Sequence, residues 1–553
     1  MMKGQRSAHL LLLSCVALTA VAHAADDGEE PVVLTTAGRV RGFRQQLNGK
    51  VVNSFTGIRY GKAPVGALRF REPQPAEPWT HVADATQPAP VCIQVDTNRR
   101  LSKVQGFNVQ TEDCLFLNVW SPARNNSASD LAVMVWIHGG GFRFGSSSFS
   151  IYDGALLAAY GDVVVVSMNY RLGALGFLYG GTEHVPGNQG HLDQLLALHW
   201  VRDNIAAFSG DQGRVTLFGE SAGSMCVDFH LSSPVSGALF QRAIMQSGAM
   251  CTHSDRASDP RLLTKVKKMA MYLNCTNSSE PETGLPEDVI ECLRRADPLH
   301  IRVAEGLVCP DTLCFVTVFG VPSLQNEPCR AEYHGSKDIL IGHVVNEGGL
   351  FASRSFPAVF QAGSPKNLTK IEMLLLLAPL VSPPSPQLLD ELHTIYTRDL
   401  GDTDYEKLRR AVQDAWGDKE ITCSSIETSA KLASNTDYSV FYYILNYTSS
   451  SPPQKPWYGM SHVEDVLYVF GRPVLENASS DDQNYSKKLM GLWTSFAKHG
   501  KKHLVEAYQC PQLLPGNLAA LKVTSREPEQ TVLNFGDRCR FWNRLHHSQL
   551  DLS

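Results

Sequence analysis

Apolar residues along this chain fall into two kinds of run. The first kind is short, continuously apolar and bounded by Gly, Asp or turn residues: LAVMVWI at 131–137 and DVVVVSMNY at 162–170. Such runs read as strands buried on both faces. QRAIMQSG (241–248), KDILIGHVV (337–345) and DYSVFYYIL (437–445) are further strands, and RVTLFGESAG (214–223) is a strand running into a tight turn. The second kind has helical spacing. HLDQLLALHWVRDNIAAF (191–208) places Leu192, Leu195, Leu196, Val201, Ile205 and Phe208 near one-turn intervals. Strands alternating with helices predict the α/β class, with a central, mostly parallel sheet covered by helices. No internal repeat or low-complexity linker interrupts the pattern, and the Pro/Ser stretches at 376–386 and 449–456 read as loops. The expectation is one large domain, residues 25–553, although a length divided by ~150 would allow three or four.

The N-terminus bears on compartment. Lys3 and Arg6 precede the apolar run Leu10–Val21, and Ala22-His23-Ala24 supplies a small-x-small cleavage pattern. This reads as a secretory signal peptide, residues 1–24. The run is shorter than the roughly 20 residues that span a bilayer. MLLLLAPLV (373–381) is shorter still, and the polar C-terminus RFWNRLHHSQLDLS lacks the apolar tail of a lipid-anchor signal. The expected product is secreted and extracellular, with no membrane anchor. Removing Cys15 with the leader leaves an even number of cysteines, which in a secreted chain points to disulfides. Sequons at Asn125, Asn277, Asn367, Asn446, Asn477 and Asn484 are glycosylation candidates. A seventh, Asn274, has Cys275 as its middle residue, which a disulfide would engage.

Composition narrows the class. Fifty basic residues against 55 acidic ones give a net charge of −5, without the basic excess of a nucleic-acid binder. Charged residues at 19% and hydrophobic ones at 43% exclude collagen-like, coiled-coil and disordered readings.

Two motifs carry chemistry. Gly219-Glu220-Ser221-Ala222-Gly223 is a G-x-S-x-G placed between the strand RVTLF and a helix-like segment. Its glycines permit a sharp turn that presents the Ser221 hydroxyl above the sheet edge. His138-Gly139-Gly140-Gly141-Phe142 follows the strand LAVMVWI, and its glycines expose backbone N–H donors for a developing oxyanion. Strand, HGGG loop, then G-x-S-x-G is the paired signature of lipase- and esterase-type hydrolases. A serine nucleophile needs a base, and the base an orienting acid, in the order Ser, Asp/Glu, His. Several downstream acids and histidines qualify, and spacing alone does not choose among them.

GESAG and WIHGGGF, together with FTGIRYGKAPVGALRF (55–70), TEDCLFLNVW (111–120), NYRLGALGFL (169–178) and PGNQGHLDQLLALHWVRDNIAAFSGD (186–211), resemble the type-B carboxylesterase/cholinesterase family. The resemblance runs from about residue 31 to about 545, densely in the N-terminal half and loosely over 250–440. It implies a single α/β-hydrolase domain. It also implies Ser221 as nucleophile, Glu347 in VVNEGG as acid, and His462 in H-x-x-[ED] before the run ending Phe470-Gly471 as base. The implied oxyanion donors are the backbone N–H groups of Gly140, Gly141 and Ala222. The implied disulfides are Cys92–Cys114, Cys275–Cys292 and Cys423–Cys539. Cys251, Cys309, Cys314, Cys329 and Cys510 remain unassigned, and Cys226 is expected as a buried free thiol. Arg69–Glu112 and Arg171–Asp193 are implied scaffold ion pairs.

The activity implied is hydrolysis of small carboxylic esters through an acyl-enzyme, with no cofactor and no metal. No His/Cys cluster has metal-ligand spacing, and an oligomer is compatible with the sequence. Cholinesterases seat choline against a tryptophan in the loop that here spans Cys92 to Cys114. This loop contains no tryptophan; it carries Arg99, Arg100 and Lys103, with Phe107 as its one aromatic. Leu350 stands where cholinesterases usually carry an aromatic, with Phe351 beside it. A general carboxylesterase is therefore expected. The alternatives are an acetylcholinesterase-like enzyme and, from another class, a non-catalytic adhesion protein on the same scaffold. Against the last stands the complete set of matched catalytic residues.

Overall fold

The computed structural model describes residues 30–551 apart from 96–108, 125–128, 279–282, 310–313, 334, 361–365, 382–383, 450–456 and 534–535. The leader, Asn125, Arg99, Arg100, Lys103 and Phe107 lie outside the described residues.

An eleven-stranded sheet forms the centre. In chain order its strands are β1 (Phe43–Leu47), β2 (Lys50–Arg59), β3 (Phe116–Pro122), β4 (Leu131–Ile137), β5 (Val164–Met168), β6 (Gly210–Glu220), β7 (Arg242–Gln246), β8 (Lys337–Val344), β9 (Tyr438–Leu445), β10 (Ala519–Val523) and β11 (Glu529–Val532). Their spatial order is β1-β2-β3-β5-β4-β6-β7-β8-β9-β10-β11. From β5 through β10 every neighbouring pair is parallel, and the antiparallel pairs lie at the two margins. This is the α/β-hydrolase arrangement, in one domain.

The continuously apolar runs mark strands buried on both faces. Leu131, Val133, Val135 and Ile137 of β4 enter one core, and Ala132, Met134 and Trp136 enter the other. Side chains alternate across a strand, so a run covered by helices on both sides must be apolar at every position. Each fully buried aliphatic side chain contributes about 1.5–3 kcal/mol relative to exposure. The first core receives α3 (Gln189–Asn204) and α4 (Ala222–Ser232), and the second receives α1 (Ala155–Gly161) and α9 (Ser480–His499).

Helix α3 departs from its apolar pattern. Leu192, Leu195 and Leu196 are only half-buried, whereas Gln189, His191, Asp193 and Gln194 are fully buried. Polar contacts explain the exchange. Asp193 takes a bidentate pair from Arg171 at 2.7 and 2.8 Å, and His191 Nε2 meets Thr317 Oγ1 at 2.7 Å. A buried charge is tolerated only when paired in this way. Arg69 binds Glu112 similarly, at 2.6 and 2.5 Å.

Cys92–Cys114, Cys275–Cys292 and Cys423–Cys539 are bridged. Two further disulfides, Cys251–Cys329 and Cys309–Cys314, join residues that the sequence left unassigned. Cys226 and Cys510 are free and buried. Among the sequons, Asn277, Asn367, Asn477 and Asn484 are exposed and Asn446 is half-buried.

Candidate active site

Strand β6 ends at Glu220, and α4 begins at Ala222, so the chain reverses direction on Ser221 alone. Its backbone is forced to φ 57°, ψ −126°, a costly conformation for a non-glycine residue. The flanking glycines make the turn possible. A Cβ at Gly219 would lie 2.5 Å from Gly223 backbone atoms, and a Cβ at Gly223 would lie 2.0 Å from Ile137 O. The turn is anchored by Ser221 N–H donating to Gln246 O at 2.9 Å.

Three separate segments converge there. Glu347 follows the end of β8 and immediately precedes α6 (Gly348–Ser355), while His462 precedes α8 (Glu464–Val469). His462 Nε2 lies 2.9 Å from Ser221 Oγ, and its Nδ1 lies 2.7 Å from Glu347 Oε2. The other oxygen of Glu347 accepts the Val344 N–H at 2.8 Å, which fixes the carboxylate. Glu347 and His462 are buried, and Ser221 is half-buried. A carboxylate that orients an imidazole leaves its second nitrogen free to take the serine proton. The Phe351 ring packs on His462 with centroids 4.9 Å apart, and Leu350 is half-buried beside it.

More carboxylates surround the imidazole than motif matching assigned. Glu220 Oε1 is 3.3 Å from His462 Nε2. Burial raises the Glu220 pKa to about 8. Burial likewise raises that of Asp465 to about 6. Gln246 holds Asp465 at 2.6 Å and is itself held by Trp493 Nε1 at 2.8 Å. Burial alone would lower the pKa of His462, but Glu220, Glu347 and Asp465 together raise it to about 9. Both extra acids stood inside the recognised motifs, at the position before Ser221 and three after His462. Nothing in their spacing said that they would meet the imidazole.

The glycine loop runs alongside. A Cβ at Gly139 would lie 2.5 Å from Glu220 O and 3.1 Å from Ser221 Cβ. Gly140 and Gly141 take φ of 113° and 60°. His138 Nδ1 binds Gly139 O at 2.9 Å, and Gly140 O accepts the N–H groups of Arg143 and Phe144 at 3.1 and 3.2 Å. In a trans peptide the N–H points opposite to the C=O of its own plane. Holding the carbonyls of Gly139 and Gly140 therefore sets the directions of the Gly140 and Gly141 N–H groups. Ala222 is the first residue of α4, and N–H groups at a helix start lack intrahelical partners.

The fold also gathers a cluster that no sequence spacing announced. Cys329 lies with Cys251 and Glu427 on one side and with Glu327 and His546 on the other. Its sulfur is joined to Cys251, so no thiolate is offered to a metal.

The carboxylesterase family profile matches residues 29–542. A cholinesterase of Mus musculus is 35% identical over 562 aligned residues, covering 95% of this chain and 88% of that protein. An acetylcholinesterase-1 of Trittame loki is 33% identical over 528 residues, covering 93% of this chain and 94% of its own.

Proposed function

This chain belongs to the carboxylesterase family and is a carboxylic ester hydrolase of the serine-esterase type, and we propose that it is a secreted general carboxylesterase preferring uncharged esters to choline esters. The observation that carries the catalytic assignment is the continuous hydrogen-bonded chain Ser221–His462–Glu347. Ser221 Oγ attacks the ester carbonyl while His462 Nε2 takes its proton. The N–H groups of Gly140, Gly141 and Ala222 receive the oxyanion, and Glu347 stabilises the imidazolium. His462 then gives the proton to the leaving alcohol. It next deprotonates the water that cleaves the acyl-enzyme. With residues 1–24 as leader and 25–553 as catalytic domain, the five disulfides and the exposed sequons at Asn277, Asn367, Asn477 and Asn484 support export. An intact mass beginning at Ala25 checks it.

Substrate preference rests on charge. No tryptophan stands between Cys92 and Cys114, and Leu350 is not aromatic. A desolvated cation–π contact is worth about 2 kcal/mol, so its loss is roughly a thirtyfold loss in rate constant. The second reading, a choline ester hydrolase, is favoured by the names of the two relatives and by the Glu220–Asp465 carboxylates near His462. The decisive measurement is kcat/KM for acetylcholine against an uncharged acetate ester of matched leaving-group pKa. A clear win for acetylcholine replaces the first reading by the second. Labelling of Ser221 by a fluorophosphonate separates both from a non-catalytic scaffold protein.

A further inference from the structure

Phe142 has a φ of 57°, so three successive residues from Gly140 occupy the left-handed half of backbone space. A bulky side chain there is an outlier that persists only where its surroundings over-determine it. The ring is fully buried, edge-on to Phe177 with centroids 5.0 Å apart. Its backbone is held as well. Phe142 O accepts the N–H of Gly173 at 2.6 Å, and Arg143 O accepts from Arg302 Nη2 at 2.8 Å.

Arg302 lies on α5 (Pro298–Val308), far along the chain, and is 4% exposed. Its Nη1 pairs with Glu305, one turn on and fully buried. Glu305 Oε2 also accepts the N–H of Ala174 at 2.8 Å, and Oε1 lies 3.6 Å from Arg143 Nε. Ala174 belongs to α2 (Gly173–Phe177). One ion pair thus grips the outgoing arm of the glycine loop and the α2 start that carries the other clamp. Gly173 is shaped around it: a Cβ there would fall 1.1 Å from Arg302 Nη1. A buried ion pair is weak evidence of a stabilising role, since apolar residues often serve a core as well. Here, however, Arg302 Nη2 ends on a carbonyl of the loop's outgoing arm, Arg143 O, while Glu305 accepts from the start of α2.

We propose that Arg302 and Glu305 are positioning residues for ester hydrolysis, holding the Gly140–Arg143 turn so that the Gly140 and Gly141 N–H groups stay aimed at the oxyanion. The proposal rests on the oxyanion assignment above. The donors are needed at full strength only when negative charge develops, so misaiming them weakens transition-state binding and leaves ground-state binding little changed.

The variants are Arg302→Lys, which keeps the charge and loses the fork, and Glu305→Gln, a neutral isostere. Each is measured for kcat and KM on an uncharged ester. Each is also titrated with an alkyl trifluoromethyl ketone, which forms a tetrahedral adduct at a serine, and with the matching methyl ketone. The expected result is a fall in kcat of about 10- to 100-fold, below the 10²–10³ that follows outright deletion of one oxyanion donor. KM should stay within about threefold. Affinity for the trifluoromethyl ketone should fall in parallel with kcat/KM, and that for the methyl ketone should hold. Folded variants with unchanged kcat and adduct affinity overturn the proposal. So does an equal loss for both ketones, or failure of both variants to fold, since either outcome makes the pair scaffold alone. If the wild-type protein forms no adduct, the serine-oxyanion reading itself fails, a separate outcome.

Discussion

Replacing Glu220 by Gln removes a carboxylate 3.3 Å from the nitrogen that must accept the Ser221 proton, and keeps its shape. An isolated unit charge at that distance would stabilise the imidazolium by roughly 5 kcal/mol at an effective dielectric constant of about 20. That figure is a ceiling, because burial pushes the Glu220 pKa up to about 8 and so weakens the charge it carries near neutrality. Glu347 and Asp465 also share in lifting His462 to about 9, and they remain in the variant. A drop of about one pKa unit, ~1.4 kcal/mol, is the share we assign to Glu220. The sign follows from the chemistry. Activity requires neutral His462, so kcat/KM rises with pH through the imidazole pKa, and a lower pKa moves that acid limb to lower pH. Glu220→Gln should retain a larger fraction of its own plateau at acid pH than wild type does. The plateau itself falls, because a weaker base takes the serine proton less readily. The assay is kcat/KM from pH 5 to 10 on an uncharged ester, so that only the enzyme titrates. An acid limb that stays in place or moves upward would refute the argument that Glu220 holds the proton on His462.

Ser221→Ala should leave the melting temperature near wild type and lower ester turnover by roughly 10⁴–10⁶-fold; a variant keeping a tenth of wild-type activity would remove Ser221 as nucleophile. Cys423→Ser opens a bridge spanning 116 residues that ties α7 (Cys423–Ser434) to α10 (Gly536–Asp551). Loop-closure entropy puts the loss of stability at about 2–5 kcal/mol, read from the urea midpoint, and an unchanged midpoint would show that the bridge does not restrain the unfolded chain.

Local order was legible in the residues themselves. The runs at 131–137, 162–170, 214–223, 241–248, 337–345 and 437–445 all became strands of the central sheet. Uninterrupted apolar runs of that length have few other places to be buried. The elbow at Ser221 was legible for a steric reason: only glycine fits where Gly223 meets Ile137 O. Family resemblance, not spacing, singled out Glu347 and His462 among several downstream acids and histidines.

Contacts between distant segments were a different matter. Helix α3 buries Asp193 and His191 in place of three leucines because Arg171 and Thr317 arrive from other elements to satisfy them. Cys251 met Cys329 across 78 residues of the most loosely matching region. Glu220 and Asp465 became electrostatic partners of His462, and Arg302 reached the glycine loop from a helix some 160 residues later. Periodicity and glycine placement are properties of a few neighbouring residues, so the sequence alone determined the strands and the turn. Charge, pKa and hydrogen-bond pairing depend on distances of about 3 Å between groups far apart in the chain, and only the packed tertiary structure decides those.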